Sequence, residues 1–322
     1  MNNNKDFSSL NIAVLIPCYN EQKTIVKVIQ DFRKELPDAN IYVFDNNSTD
    51  DSYELAVNAG AIVIKEKKQG KGFVVAAMLQ KVQADYYIMV DGDDTYSAEY
   101  AHALLEPLMD ERADMVVGQR LSQYDKDAFR PLHVFGNKVI CKLLNLIFNS
   151  NLSDPLSGYR AFTEEVALRL PVVASGFDVE TELTLQMLYR HLIIKEIPIP
   201  YRARPQGSFS KLSTFKDGVR ILFKIFSILR SYKPMTFFGS LGILSAFIAL
   251  GIGFFLIFGE SNEVNIALSI VCSSLFIIGI FFASIGIILN SLNFRLLEDM
   301  STLEKQIHWI KDENRDEMFE SE

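Results

Sequence analysis

Asp91-Gly92-Asp93-Asp94 follows directly on the apolar run Tyr86 to Val90, and it is the cluster in this chain best suited to chemistry. Two carboxylates two residues apart, with a glycine between them that lets the backbone turn closely, suit a hard divalent cation. Mg2+ or Mn2+ takes one or two carboxylates and completes its shell with water and diphosphate oxygens. Asp and Gly are also ordinary turn residues, so the motif alone equally describes a strand end. Three further polar clusters give it company: Pro17-Cys18-Tyr19-Asn20-Glu21, Asp45-Asn46-Asn47-Ser48-Thr49-Asp50 and Lys67-Lys68-Gln69-Gly70-Lys71-Gly72. In the last, two glycines around Lys71 open a helix whose first N–H groups and dipole can hold phosphate. It is not a Walker A loop, and the first βα turn lacks the glycine fingerprint of a dinucleotide site.

Each cluster follows a run that reads as a strand: Ile12 to Ile16, Ile41 to Phe44, Ala61 to Ile64 and Tyr86 to Val90. Helices are predicted between them, over Thr24 to Leu36, up to Ala59, and over Phe73 to Lys81. This βαβ rhythm implies an α/β fold with a mainly parallel sheet and right-handed crossovers. Continuous apolar runs mark strands covered on both faces. The four clusters then open onto one crevice at the carboxyl ends of the strands, where such sheets bind ligands. Carboxylates there, Asp93 included, are expected to be exposed and to carry little stability. Farther on, Val134 to Phe148 and Thr181 to His191 read as helices, with strands over Tyr159 to Phe162 and Ile193 to Ile199.

The formal net charge of −8 argues against a nucleic-acid partner, which calls for a basic surface. Most of that charge is local, since Glu298 to Glu322 carries nine acidic and three basic residues, a net of −6. Three distant cysteines and four scattered histidines suggest neither a disulfide framework nor a zinc site. Met1 to Ser9 is polar and does not read as a secretory signal. Met235 to Phe258 and Val264 to Phe294 contain no charge, and each is long enough to cross a bilayer core of ~30 Å as a helix. Just before them, Asp217 to Tyr232 reads as an amphipathic helix with Lys216, Arg220 and Lys224 on one stripe, which suits a membrane interface. Arg220, Lys224, Arg230 and Lys233 precede the first span and Arg295 follows the second, while the loop Gly259 to Glu263 has no Lys or Arg. The positive-inside rule therefore puts both termini in the cytoplasm. Gly239, Gly242, Gly251 and Gly253 suit close helix packing, within a hairpin or in a homo-oligomer.

Taken as a set, the Pro17 to Glu21, Asp45 to Asp50, Gly70 to Gly72 and Asp91 to Asp93 motifs resemble those of a family 2 glycosyltransferase with the GT-A fold. Gly118-Gln119-Arg120, Asp154-Pro155-Leu156-Ser157-Gly158-Tyr159-Arg160, Gly176 to Glu180 and Ser210-Lys211-Leu212 are similar to the dolichyl-phosphate-mannose-synthase-like branch. The two C-terminal spans match its bacterial and archaeal polyprenyl-phosphate hexosyltransferases. The resemblance covers nearly everything from Asn11 to Asn290. It implies that Pro17, Tyr19, Glu21 and Asp45 hold the nucleoside of a nucleotide-sugar donor, and that Asp91 and Asp93 hold the metal on its diphosphate. It further implies that Arg120 and Arg130 hold the acceptor phosphate, and that Ser210 and Lys211 close over the donor phosphates. One departure is Asp94-Thr95 where the branch's mannose synthases continue with Leu-Gln, so the resemblance does not extend to mannose as the sugar.

The chemistry agrees with that assignment. A sugar hydroxyl needs a general base, whereas a lipid phosphate, with its second pKa about 6, is already an anion at neutral pH. Such a site needs cations instead, and Arg120, Arg130, Arg160, Arg202, Arg204 and Lys211 are the candidates. The expected organisation is a GT-A catalytic domain over 1–215, an interfacial helix over 216–233, two spans within 234–294 (about 235–258 and 265–290) and an acidic cytoplasmic tail over 295–322. The expected activity is inverting sugar transfer from a nucleotide-sugar to a polyprenyl phosphate. A polysaccharide-extending synthase is the alternative, but its Gln-x-x-Arg-Trp motif is missing: the single Trp is Trp309, in Gln306-Ile307-His308-Trp309. A non-catalytic membrane scaffold would be expected to have lost site residues that this chain keeps.

Overall fold

The structure is a computed structural model that describes residues 10–124, 131–170, 179–203, 226–227, 229–258 and 266–320. The chain divides into two compact units, Met1–Gly218 and Val219–Glu322.

In the first unit the described strands form one seven-stranded sheet. They are β1 (Ile12–Cys18), β2 (Asn40–Asp45), β3 (Ile62–Lys65), β4 (Tyr86–Met89), β5 (Met115–Tyr124), β6 (Arg160–Thr163) and β7 (Ile194–Tyr201). Their spatial order is β3-β2-β1-β4-β6-β5-β7. The first four are mutually parallel, β6 runs antiparallel to both neighbours, and β5 pairs parallel with β7. From β1 the chain builds outward through β2 and β3 on one side and returns as β4 on the other. That reversal opens a crevice at the carboxyl ends of β1 and β4.

Seven helices are described around the sheet: α1 (Ile25–Glu35), α2 (Ser52–Asn58), α3 (Lys71–Lys81), α4 (Ala101–Met109), α5 (Pro131–Phe148), α6 (Glu164–Arg169) and α7 (Val179–Tyr189). In α1 the buried residues Ile25, Val28, Ile29 and Phe32 fall on one stripe, the spacing that makes an amphipathic helix bury one face. That stripe packs on Ile12, Val14 and Ile16 of β1, together with Leu104 and Leu105 of α4. The alternate residues Ala13 and Leu15 face the opposite core, built from Val74, Val75 and Met78 of α3 and Val179, Leu183 and Met187 of α7. Burial on both faces is why the strand reads as an unbroken apolar run.

Sequence periodicity leaves β5, α4 and α6 unassigned. In β5 only Met115-Val116-Val117 is apolar before Gly118-Gln119-Arg120, and Arg120 reaches Asp154. α4 holds Pro107, a residue that ordinarily ends a helix. α6 is a turn and a half, capped by the Thr163 side chain accepting from Val166 N–H.

The second unit contains α8 (Pro234–Phe258) and α9 (Ile266–Glu320). Pro234–Phe258 and Ile266–Leu296 each have a mean hydropathy of 2.6 and are long and apolar enough to cross a membrane, with only 17% and 6% of the most apolar window buried by protein. Their backbones approach closely at one glycine pair: a Cβ on Gly242 would lie 2.8 Å from the Gly279 carbonyl oxygen. Ser245 Oγ donates to the Leu275 carbonyl at 2.6 Å beside that crossing. Of the other glycines singled out for packing, Gly239 and Gly251 meet nothing within 4 Å. The second helix does not stop near residue 290 but continues through the acidic tail to Glu320. The basic stretch Lys216, Arg220 and Lys224 lies outside the described residues.

Candidate functional site

The four polar clusters do meet at the carboxyl ends of β1 to β4, and side chains lace them together. After β1, Asn20 takes a left-handed conformation (φ 55°), and its N–H donates to Ser48 Oγ at 3.0 Å while its Oδ1 accepts from Thr49 N–H at 2.8 Å. Glu21 N–H donates to Ser52 Oγ at 2.8 Å. Pro17, Tyr19 and Glu21 are half-buried there, and Asp45 is buried beside Cys18 and accepts from Ser48 N–H at 3.3 Å. Burial, with Asp45 adding to it, pushes the Cys18 thiol up to about 12. Asn46 braces the third cluster, donating to the carbonyls of Glu66 and Lys68 and accepting from Gly70 N–H at 2.8 Å. Gly70, at φ 135°, turns the chain into α3, so that Lys71 is its first residue.

The acidic cluster is anchored on both sides. Thr24 Oγ1 donates to the Gly92 carbonyl at 2.7 Å, and Lys27 Nζ pairs with Asp94 at 2.6 Å. Asp93 accepts from Thr95 N–H at 3.2 Å and from Thr95 Oγ1 at 2.6 Å. It is only 2% exposed, which corrects the expectation of an exposed strand-end carboxylate. The loop after β4 is also roofed by Tyr96, which meets the Tyr201 ring edge-to-face and accepts from Gly158 N–H at 3.0 Å. Asp91 meets the Lys71 ammonium, and Lys71 in turn meets Glu180 of α7 at 2.5 Å. Burial alone would depress the Lys71 ammonium, but the Asp91 and Glu180 carboxylates outweigh it and hold its pKa above the usual lysine value.

Next to this cluster lies Arg120 of β5. Its Nε and Nη2 form a fork on the Asp154 carboxylate at 2.9 and 2.8 Å, and its backbone N–H donates to the same group. Its guanidinium lies 5.5 Å over the Tyr201 ring. Asn137 adds a fourth donor to Asp154 at 3.1 Å, and Glu196 of β7 holds the backbone N–H groups of Ser153 and Asp154. The Asp154–Tyr159 loop also reaches Asp91, because a Cβ on Gly158 would fall 2.4 Å from Asp91 Oδ2.

Arg160 belongs elsewhere. It is fully buried and donates to the Pro155 and Ser157 carbonyls and to Thr184 Oγ1, so it staples this loop to α7 rather than facing a ligand. Burial lowers it to about 10 against the opposing pull of Glu180 and Asp154. Arg202 is exposed, with its backbone N–H on the Thr95 carbonyl. Arg130, Arg204, Ser210 and Lys211 lie outside the described residues. Asp154 and Glu180 stand in motifs that the sequence makes visible, yet only the fold reveals what each one holds. Among the described residues no three His, Cys, Asp or Glu side chains gather to hold a metal by themselves. Asp91 and Asp93 nevertheless fit Mg2+ or Mn2+, which asks for one or two carboxylate oxygens and takes the rest of its shell from phosphate and water.

An open α/β sheet with a reversed strand beyond its switch point, and carboxylates at that point, has the GT-A architecture. The crystal structure of glucosyl-3-phosphoglycerate synthase from Mycobacterium tuberculosis in complex with Mn2+, UDP-glucose and phosphoglyceric acid shares it, with a TM-score of 0.56 at 22% identity over 69% of this chain and 80% of that one. The glycosyl transferase family 2 profile matches residues 13–170. The glycosyltransferase AglJ of Haloferax volcanii is 37% identical over 245 residues, covering 76% of this chain and 80% of that protein. A dolichyl-phosphate hexose transferase of the same organism is 28% identical, covering 66% of this chain and 90% of that protein. The chain belongs to glycosyl transferase family 2 and is a glycosyltransferase.

Proposed function

We propose that residues 1–215 form the catalytic domain of an inverting, metal-dependent transferase that moves a sugar from a nucleotide-sugar to a polyprenyl phosphate at the cytoplasmic face of a membrane. The observation that carries this reading is one loop with two duties: Gly158 packs on Asp91, and Asp154 grips Arg120. A carboxylate pair suited to a diphosphate-bound cation therefore stands next to an arginine suited to a second, acceptor phosphate. The name and coverage of the dolichyl-phosphate hexose transferase relative support the lipid acceptor, and the two apolar helices support the membrane.

Pro17, Tyr19, Glu21 and Asp45 hold the nucleoside, and the start of α3 with Lys71 faces the donor phosphates. A Mg2+ or Mn2+ ion held by Asp91 and Asp93 would neutralise the diphosphate and ease departure of the nucleotide. Arg120, with Arg130, orients the acceptor phosphate and offsets its repulsion from the donor. A phosphate oxygen then attacks the anomeric carbon as the bond to the diphosphate breaks, with inversion, and no base has to remove a proton. Ser210 and Lys211 close over the donor phosphates. The basic residues flanking the spans support a cytoplasmic catalytic domain and a cytoplasmic tail over 295–322.

The test is transfer from labelled UDP- and GDP-sugars to a short-chain polyprenyl phosphate or to the matching polyprenol. Wild type is expected to use the phosphate and ignore the alcohol. Arg120→Ala should lower catalytic efficiency roughly 10- to 150-fold, from loss of one charge-assisted contact of about 1.5–3 kcal/mol, mostly through the acceptor constant. Arg120→Lys should rescue poorly, since a point charge cannot copy the fork. Equal use of the alcohol, or a loss confined to the donor constant, moves the assignment to a polysaccharide-extending enzyme.

A further inference from the structure

We infer that the Lys71 ammonium and the donor's divalent cation are alternative partners of Asp91, so that entry of the metal-bound nucleotide shifts Lys71 onto the diphosphate. The inference rests on the metal reading above and adds an exchange to it. Lys71 begins α3, and its four-carbon arm turns back into the crevice to meet Asp91 and Glu180. Its side chain is 15% exposed, against 27% for Asp91 and 8% for Glu180. The ammonium sits on Asp91 Oδ1, while Asp91 Oδ2 is walled by the backbone at Gly158. A divalent ion approaching Asp91 therefore meets a like charge at its nearest oxygen, and at such separations that repulsion is strong even when screened.

The exchange leaves no carboxylate stranded. Asp91 gains the stronger cation, and Glu180 keeps the buried Arg160 guanidinium close enough to influence its charge. Lys71 moves toward a diphosphate lying at the N-terminus of its own helix, where backbone N–H groups already favour anions. One lysine thereby opposes the metal alone and favours the metal–nucleotide complex. A purely structural ion pair would not act with opposite signs on the two.

Purified full-length protein in detergent would be titrated with Mn2+ alone, read by the electron paramagnetic resonance of free Mn2+, and then with Mn2+ plus UDP or GDP by calorimetry. Lys71→Met is expected to bind Mn2+ alone about tenfold tighter than wild type, the effect of removing one nearby positive charge. It should bind Mn2+ with UDP or GDP about tenfold more weakly, having lost its diphosphate contact. Lys71→Arg keeps the charge and should bind Mn2+ alone like wild type. Should Lys71→Met prove unstable from its two unbalanced carboxylates, Mn2+ should raise its Tm more than it raises that of wild type. Mn2+ binding that Asp93→Asn abolishes but Lys71→Met does not tighten overturns the exchange. Mn2+ binding indifferent to Asp93→Asn, or absent from Lys71→Met, overturns the metal site itself.

Discussion

Around Asp154 four N–H donors converge on two carboxylate oxygens, whereas Asp91 and Glu180 share the ammonium of one lysine. Both clusters border the same crevice and are linked by the Asp154–Tyr159 loop, but they are built for different ends. On the arginine side Asp154 takes four donors and Arg160 is bonded to carbonyls and a hydroxyl, so both are saturated from within and together hold Arg120 in place at the crevice. Saturated buried groups keep shape and are expensive to disturb. On the acidic side a single lysine bridges Asp91 and Glu180 at the mouth of the crevice, a pairing that an incoming cation can exchange.

The comparison breaks first at Arg160. Arg160→Met leaves the Ser157 carbonyl without its buried donor and the Pro155 carbonyl with the Thr184 hydroxyl alone, and stability should fall by about 3 kcal/mol, the upper end for an orphaned buried group. Scanning calorimetry in micelles checks this, and an unchanged Tm would remove Arg160 from the scaffold. Asp154→Asn should follow with a loss of about 2 kcal/mol, the size of a hydrogen bond to a charged group, while Mn2+ affinity stays at the wild-type level. If Mn2+ affinity drops with it, the two clusters do not work separately.

A smaller effect is set by Cys18, buried on the floor of the crevice at the carboxyl end of β1. Its folded pKa is raised to about 12, so the folded state holds the proton more tightly than the unfolded chain does. That contribution is complete below pH 9 and declines as pH rises through the window between the unfolded and folded values. Between pH 9 and 10 wild type should lose about 1 kcal/mol that Cys18→Ala does not lose. Parallel pH profiles of the two proteins would mean the floor is wet. The smallest change in stability belongs to Asp93→Asn, about 0.5 kcal/mol, because the amide oxygen can still accept from both Thr95 donors. Its Mn2+ affinity should nonetheless fall at least tenfold, and retained affinity would detach Asp93 from the metal.

The parallel half of the sheet is legible in the sequence because β1 to β4 are covered on both faces and each ends in a polar cluster. Boundaries slip by a residue or two, as at α3, where the helix starts at Lys71 instead of Phe73 because Gly70 can hold φ 135°. The antiparallel half is harder to read. β5 trades apolar residues for Gln119 and Arg120, of which Arg120 borders the site, and α4 hides behind a proline. For the site, residue types point to the right neighbourhood without fixing partners. Arg120 and Arg160 look alike in sequence, yet one borders the crevice at 13% side-chain exposure and the other is sealed in the core. Asp93 reads as exposed because strand ends usually are, and it is buried because Tyr96, Tyr201 and Thr95 close over that end.

The unbroken run of α9 has a mechanical meaning. Its apolar part ends at Leu296, and the remainder to Glu320 is a rod of about 36 Å at 1.5 Å per residue. Spanning helices commonly tilt by about 20°, and a stiff rod of this length turns such a tilt into a sideways swing of about 12 Å at its far end. A change in bilayer thickness that alters the tilt of the span is thereby amplified into displacement of a strongly acidic tip. Two glycines inserted just after Leu296 would turn the lever into a tether, and a spin label near Glu320 would then stop reporting the thickness of the bilayer.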